Sequence, residues 1–429
     1  MEETFRVKEG LYLVGSLERG LTVYNQQVRA HNLIWALWEL SKVKSFSGGK
    51  IAVVGGGVTG LTAAACAMSS LTDSGITLFE QRWDLCPLQQ GSDNRWLHPR
   101  IYDWPELGSR APGASLPVLN WTEGRASDVA RDIIRQFSLY CRQHGKDNRL
   151  RLYLGVNHLR ISAANNTIEW IGSHTDDLGP FFRAGTSIGT TERFDAIILA
   201  PGFGLEVYPA GLPTASYWRN EQHGQPVLNG TRRSYLLSGF GDGALVDLFR
   251  LKIERFRQDT ILYELFDDLE AFEDKIRVDW GHVKGAKNAF DFFADLAMPP
   301  VVEAGKRLGQ RLRKDTTVVM HLAGPTGRVT SLPEIFAASS SFLNKFLLFL
   351  LYKSGAFATS FAPLEATIKE FEIPRENVIC RHGTDIMGHL RRMFIDAELV
   401  QRRLELIRGN QAQTGKRLWV PGCFPHYSQ

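Results

Sequence analysis

The stretch Lys50–Glu80 reads KIAVVGGGVTGLTAAACAMSSLTDSGITLFE, and its pattern decides the fold. Ile51 to Val54 is a short continuous apolar run. Such a run marks a strand buried on both faces of a parallel sheet. Gly55, Gly57 and Gly60 follow in GxGxxG spacing, and the small apolar residues Leu61 to Met68 suit a helix. A second strand, Ile76 to Phe79, ends at Glu80, 20 residues past Gly60. Strand, glycine turn, helix, strand and terminal acid together make a βαβ unit shaped for a dinucleotide.

Each position in the unit has a physical task. Gly55 permits the tight turn out of the strand, Gly57 lets the backbone approach a pyrophosphate, and Gly60 lets the helix pack close to the sheet. Val58 and Thr59 open the helix, whose free N–H groups and positive dipole end face the phosphates. Glu80 accepts hydrogen bonds from ribose hydroxyls, and Gln81 follows it at the strand end. The expected nucleotide-binding residues are thus Gly55, Gly57, Val58, Thr59, Gly60, Glu80 and Gln81.

Upstream, residues 1–45 read as a separate helical segment. Tyr24, Val28, His31, Trp35 and Trp38 share one helical face, with Ala30, Leu33, Leu37 and Leu40 beside it. The apolar arc is wide, as in a helix that packs on a larger body. Downstream of Glu80 comes a long aperiodic loop carrying Trp83, Trp96, Tyr102 and Trp104. Loops of that length are uncommon in compact domains unless they serve a function. A helix is expected from Ser127 to about His144, stopped by Gly145, and then a small antiparallel meander over Leu150–Ser173. Ala196 to Ala200 is another buried strand, ended by Gly202 and Gly204.

A second glycine motif follows Ser234–Ser238. Gly239, Gly241 and Ala244 hold GxGxxA positions, and a helix starts at Leu245. The next strand candidate, Thr316–Leu322, comes late, after a helical and acidic stretch. Asp242 sits inside the turn, where a carboxylate near a pyrophosphate is unfavourable. Arg328, after the late strand, is a candidate partner for a 2′-phosphate. A helix is expected over Ser331–Phe357 and another over Ala397–Arg408.

The order GGGVTG, Glu80, a three-stranded excursion, an APG-ended strand and GFGDGA resembles the two-dinucleotide-binding-domain flavoprotein superfamily over about residues 46–255. The likeness is nearer to flavin-containing monooxygenases than to disulfide reductases, because no redox-active cysteine pair is present. The resemblance implies that the first motif cradles FAD and that Glu80 binds its adenosine ribose. It implies that Ala200 and Gly202, in the turn resembling the family's ATG turn, pass close to the flavin. The second motif, with Gly239, Gly241 and Ala244, would serve NAD(P)H. No TGD-like motif closes the flavin site near the C-terminus; the nearest string, Arg381 to Asp385, matches poorly.

The family's loop after the ribose acid approaches the flavin ring. Its candidate catalytic residues here are Arg95 and His98, to stabilise negative charge, and Tyr102 and Asp103, to orient substrate or relay a proton. Ordinary packing and turn-anchoring roles compete for each of them.

The expected fold class is α/β: a Rossmann-like FAD-binding domain with an antiparallel meander, plus a second Rossmann-like or partly helical domain. The expected division is 1–45, a helical segment; 46–230, the FAD domain; 231–385, the second nucleotide-binding-like domain with a helical insertion; and 386–429, a helical tail. No internal repeat is visible. The expected activity is an FAD-dependent oxidoreductase, NAD(P)H-using and monooxygenase- or oxidase-like, acting on a small organic substrate. A nucleotide-binding sensor without turnover, and an NAD-dependent dehydrogenase with a single site, are the alternatives.

Composition limits other readings. The chain has 429 residues, 44% apolar and 22% charged, which is ordinary globular usage. Lys and Arg total 50 against 46 Asp and Glu, so charge gives no reason to expect nucleic acid or an anionic membrane. The charged N-terminus lacks a secretory pattern, and the five scattered cysteines fit reduced thiols; the expected location is cytoplasmic. No HExxH, paired cysteines or GxSxG elbow is present, so no metal site is expected and a hydrolase is poorly supported. The N-terminal helix and residues 331–357 are candidate surfaces for a second copy or a protein partner.

Overall fold

The computed structural model describes residues 2–17, 21–43, 46, 49–144, 149–172, 188–202, 206, 209–212, 216–296, 298–323, 329–337, 340–409 and 415–424. The chain forms two compact units. Unit 1 comprises Met1–Pro99, Gly113–Gly204 and Asp385–Gln429; unit 2 comprises Arg100–Pro112 and Leu205–Thr384. Both are α/β, as the sequence pattern led one to expect.

Unit 1 is built on strands β1 (Leu11–Leu13), β2 (Lys50–Val54), β3 (Gly75–Phe79), β4 (Leu150–Tyr153) and β5 (Ala196–Leu199). They lie in the order β1-β5-β2-β3-β4, all parallel, with Arg6–Lys8 antiparallel at the β1 edge. Side chains alternate between two dry faces. Ile51, Val53, Ile76, Leu78 and Ile198 point to helices α1 (Val23–Lys42), α2 (Val58–Ser70) and α3 (Ala126–His144). Ala52, Val54, Phe79, Ile197 and Leu199 point to a second layer. That layer is the antiparallel sheet Asn157–Ser162, Thr167–Gly172 and Ile188–Arg193, together with Leu390, Phe394, Val400 and Leu404 from the C-terminal helices.

Unit 2 repeats the plan. Strands β6 (Arg233–Ser238), β7 (Thr316–His321), β8 (Ala358–Ser360) and β9 (Val378–Cys380) lie parallel in the order β8-β7-β6-β9. Helix α4 (Asp242–Lys252) follows β6, and four further helices between Ile261 and Gln310 precede β7. This helical insertion is why β7 comes so late. Counted from the glycine-motif strand, both sheets run 3-2-1-4, the order of doubly wound nucleotide-binding folds.

Several expected boundaries are redrawn. Residues 1–45 and 386–429 belong to unit 1, and the division falls near 205, not 231. The three-residue strand β1 is too short to show a pattern, and it completes the sheet beside β5. Leu150–Tyr153 joins the large parallel sheet and not the meander. It is an edge strand with one buried residue in four, so it alternates as an antiparallel strand does. The single helix expected over 331–357 is two, Leu332–Ile335 and α5 (Phe342–Lys353). The Ser341 side chain accepts from Asn344 N–H and starts a new helix there. The apolar residues of α1 and α5 are largely buried within their own units, so packing satisfies the density that marked them as partner surfaces. Gly145, Gly204 and Arg328 lie outside the described residues.

The β1 strand covers the edge of β5, and Val14 N–H donates to Leu199 O at 3.0 Å beyond it. An uncovered apolar edge promotes association. Deleting residues 2–17 is expected to lower the urea midpoint and to give soluble aggregates by light scattering. A monodisperse truncated chain with an unchanged midpoint would contradict this packing.

Candidate nucleotide-binding site

The first glycine turn is set by two backbone contacts. Gly55 adopts φ 114°, and a Cβ there would lie 2.1 Å from Ala200 O. A Cβ on Gly60 would lie 1.8 Å from Gly55 O. Neither position admits a side chain. Gly57 and Gly202 differ: among the described residues, and beyond their own chain neighbours, no atom stands within 4 Å of where their Cβ would be. The turn therefore presses its first and last glycines into the protein and leaves the middle one facing open space.

Helix α2 starts at Val58 with Gly57 as N-cap and no side-chain cap. By contrast, Thr22, Asp268, Asn288, Ser341 and Asp385 cap their helices with side-chain oxygens. The first N–H groups of a helix have no intrahelical partner. Left uncapped beside a bare glycine, those of α2 suit a phosphate. Val58 is buried and Thr59 half-buried.

Glu80 lies directly under the turn. Its Oε2 accepts from Gly56 N–H and its Oε1 from Arg82 N–H, each at 2.7 Å. A Cβ on Gly56 would come within 2.8 Å of Glu80 Cβ, so Gly56 makes room for the acid. The GGG string is its sequence signal, at a position the GxGxxG spacing leaves open. Burial pushes the Glu80 carboxyl up, and the N–H bonds from Arg82 and Gly56 pull it down. A carboxylate oxygen accepts more than one hydrogen bond, so both oxygens keep capacity for ribose hydroxyls. Gln81 is exposed.

The second turn repeats the backbone contacts of the first. Gly239 has φ 124°, and its Cβ would lie 2.4 Å from Arg381 O. Gly239 N–H donates to His321 O at 3.3 Å, as Gly55 N–H donates to Phe79 O at 2.8 Å. Arg381 N–H donates to Ser238 O, as Ala200 N–H donates to Val54 O, both at 2.8 Å. Gly241 is again an uncapped N-cap facing open space. Ala244 is buried. Gly383, at φ 83°, corresponds to Gly202, at φ 68°, and both face open space. Arg381-His382-Gly383 is therefore the counterpart of Ala200-Pro201-Gly202. The repeat is structural, carried by backbone geometry under dissimilar side chains. A cavity of about 360 Å³ opens here, lined by Gly239, Gly241, Ala244, Tyr217, Arg381 and His382.

Side chains set the copies apart. Strand register aligns Val54 with Phe79 and Ser238 with His321, so Leu322 stands where Glu80 stands. Leu322 is fully buried. Asp242, the first residue of α4, turns aside: its Oδ1 accepts from Ser341 N–H at 2.8 Å and Asn344 Nδ2 at 2.7 Å. His382 replaces Pro201. Its Nε2 and His321 Nδ1 both bond Ser238 Oγ, at 2.6 and 2.7 Å, and His321 Nε2 contacts Ala362 O at 2.9 Å. A carbonyl only accepts, so His321 carries its proton on Nε2 and its Nδ1 accepts from Ser238. Ser238 then accepts from His382 Nε2–H. Burial lowers both imidazoles, which favours these neutral forms.

The four catalytic candidates fall in different units. Arg95 and His98 belong to unit 1, Tyr102 and Asp103 to unit 2. Arg95 is 2% exposed, and His98 Nε2 lies 3.4 Å from Glu123 Oε2. The Tyr102 hydroxyl accepts from Gln258 Nε2. Asp103 pairs with Arg100 Nε at 3.3 Å, which pulls its carboxyl down against the larger upward push of burial. Trp104 is core: it packs on Phe342 and Phe346 and donates from Nε1 to Glu273 at 2.8 Å. Glu221, His223 and Asp247 gather ligand-type atoms, a grouping the sequence spacing hides. Arg250 and Arg381 already pair with the two carboxylates, which leaves little need for a cation.

No protein-family model and no curated protein matches the chain. Among solved structures it is similar to the T. acidophilum thioredoxin reductase, at 10% identity and a TM-score of 0.23, over 72% of this chain and 63% of that one. It is also similar to OTEMO in complex with FAD and NADP, at 10% identity and 0.32, over 80% and 72%. A third is the polycyclic ketone monooxygenase of the thermophilic fungus Thermothelomyces thermophila, at 10% and 0.23, over 68% and 40%. The chain thus spans less than two thirds of the first and third of these proteins. A likeness this loose assigns no function.

The two kinds of glycine give a direct contrast. Gly60→Ala and Gly55→Ala are expected to destabilise the fold by about 2–3 kcal/mol through overpacking. Gly57→Val is expected to cost about 1 kcal/mol or less while blocking the cradle. Urea unfolding of the three variants checks this, and equal losses in all of them would contradict the geometry.

Proposed function

We propose that the chain is an FAD-dependent oxidoreductase that holds the ADP half of FAD at Gly55–Gly60 and Glu80 and takes electrons from NAD(P)H bound at Gly239–Ala244. The observation that carries this reading is the doubled, uncapped glycine turn, with a ribose-type acid retained beneath the first copy. FAD, when bound, supplies the two-electron chemistry. The protein's part is to grip the pyrophosphate with helix N–H groups, fix the ribose through Glu80, and bring Ala200–Gly202 to the far side of the cradle. Arg95 and His98 of unit 1 are the residues proposed to stabilise negative charge near the flavin, and Tyr102 and Asp103 of unit 2 those proposed to orient substrate or relay a proton.

A monooxygenase- or oxidase-like reaction is favoured over disulfide reduction. All five cysteines are free, and burial pushes the Cys66 and Cys86 thiols up, away from nucleophilic thiolate. Free thiols also support a reducing, cytoplasmic setting. No helix among the described residues is long and apolar enough to cross a membrane. In the second site, Leu322 offers NADH no acceptor for its ribose diol, which favours NADPH. The same loss favours the reading of a chain with one working nucleotide site. Anaerobic mixing of the FAD-loaded protein with NADPH separates the two: bleaching of the flavin supports the reductase, and none with NADPH or NADH supports a single-site protein.

Glu80 makes a pH prediction. A buried carboxyl with a raised folded pKa favours the fold when protonated, and that contribution fades as pH rises through the raised value. Glu80→Gln is expected to lose that pH dependence and to cost the cofactor-free protein about 1–2 kcal/mol, because its amide NH2 faces one of the two backbone N–H groups that Glu80 accepts from. It should also weaken FAD binding by about tenfold, the loss of charge-assisted ribose bonds. Wild-type binding should fall as pH drops through the range just above ordinary carboxylates, and the variant should lack that step. Equal affinities across pH would refute the role of Glu80.

A further inference from the structure

Unit 2 holds another cavity, of about 370 Å³, that shares no lining residue with the glycine-turn cavity. Its size is in the range of small-molecule sites, about 300–1,000 Å³. Helix Leu269–Val283, the segment after it and the start of α5 form its walls. Trp280 and Phe342 supply an aromatic wall, their ring centroids 5.1 Å apart. Trp280 is only half-buried, so part of its ring remains uncovered.

The charge of the lining is one-sided. Lys284, Lys287 and Lys345 all reach it, and no acid is among the lining residues. Lys287 pairs with Asp295 outside it. Lys345 feels Asp242, whose Oδ1 is already bonded by Ser341 and Asn344. Lys284 is exposed and makes no ion pair among the described residues. Lys345 is half-buried, where a charge is less screened by water than at the surface.

Ser340 is the second, independent sign. It lines the cavity, is 9% exposed, and its Oγ has no hydrogen-bond partner among the described residues. A buried hydroxyl without a partner is unfavourable, and such groups in folded proteins call for an explanation. A ligand oxygen that accepts its proton supplies one.

We propose that this cavity binds a small aromatic carboxylate, its ring against Trp280 and Phe342 and its carboxylate between Lys345 and the Ser340 hydroxyl. Nothing in this site depends on the flavin reading. A neutral ring compound would fill the aromatic wall without using the one-sided positive charge of the lining. An inorganic anion would do the reverse.

Calorimetric titration of the full chain with 2-naphthoate and with its uncharged amide tests the assignment. Saturable binding of the acid is expected, with the amide about tenfold weaker. Lys345→Met and Ser340→Ala should each weaken the acid about threefold to tenfold, and exposed Lys284→Met about twofold. Trp280→Phe should abolish the ligand-induced change in tryptophan fluorescence. Equal affinity for acid and amide, no binding of either, or full affinity in both Lys345→Met and Ser340→Ala would overturn the proposal. If Lys345→Met does not fold, the acid–amide ratio and Lys284→Met decide it.

Discussion

The structure depends on a carbonyl that leaves no room for a side chain. Ala200 O crowds Gly55, and Gly55 O crowds Gly60. Together they bind the end of one strand, the turn and the first helical turn of α2 into a rigid corner. The corner lies between β2 and β5, where strand order reverses. Open α/β sheets bind their ligands at such a reversal. Because first and last glycines face inward, Gly57 and the first N–H groups of α2 are left facing out.

The same corner recurs at Arg381 and Gly239, with corresponding backbone hydrogen bonds. The backbone has been kept while its chemistry has been changed. An acid under the first turn becomes a leucine beside the second. A glycine at the close helix contact becomes an alanine. A proline becomes a histidine held by Ser238 and His321. The two corners thus keep one backbone shape and differ in the side chains around it.

Much of this was legible from the sequence, because Gly55 takes a positive φ and Gly60 meets the carbonyl of Gly55, and such local demands are written in local residues. The βαβ unit, its acid and the second motif follow from such patterns. What escaped reading depends on distant partners. Strand β1 has only three residues, and its identity as a strand comes from β5, far along the chain. Leu150–Tyr153 has an edge strand's alternation, which does not reveal its neighbour. The Arg381-His382-Gly383 corner matches its counterpart only in φ and in hydrogen bonds, so no comparison of letters finds it. Gly56 answers to Glu80 alone. The aromatic loop read as one reacting segment, but its residues divide between two units, and Trp104 belongs to a core.

The cradle's occupancy is the claim on which the rest turns, and it is measured most directly by the flavin retained after the purified chain is loaded with FAD and passed through a desalting column. A single tightly held FAD per chain, identified by mass after release, is the expected result. A folded chain that retains no flavin at any loading, with adenine dinucleotides failing to compete for the cradle, would contradict the account.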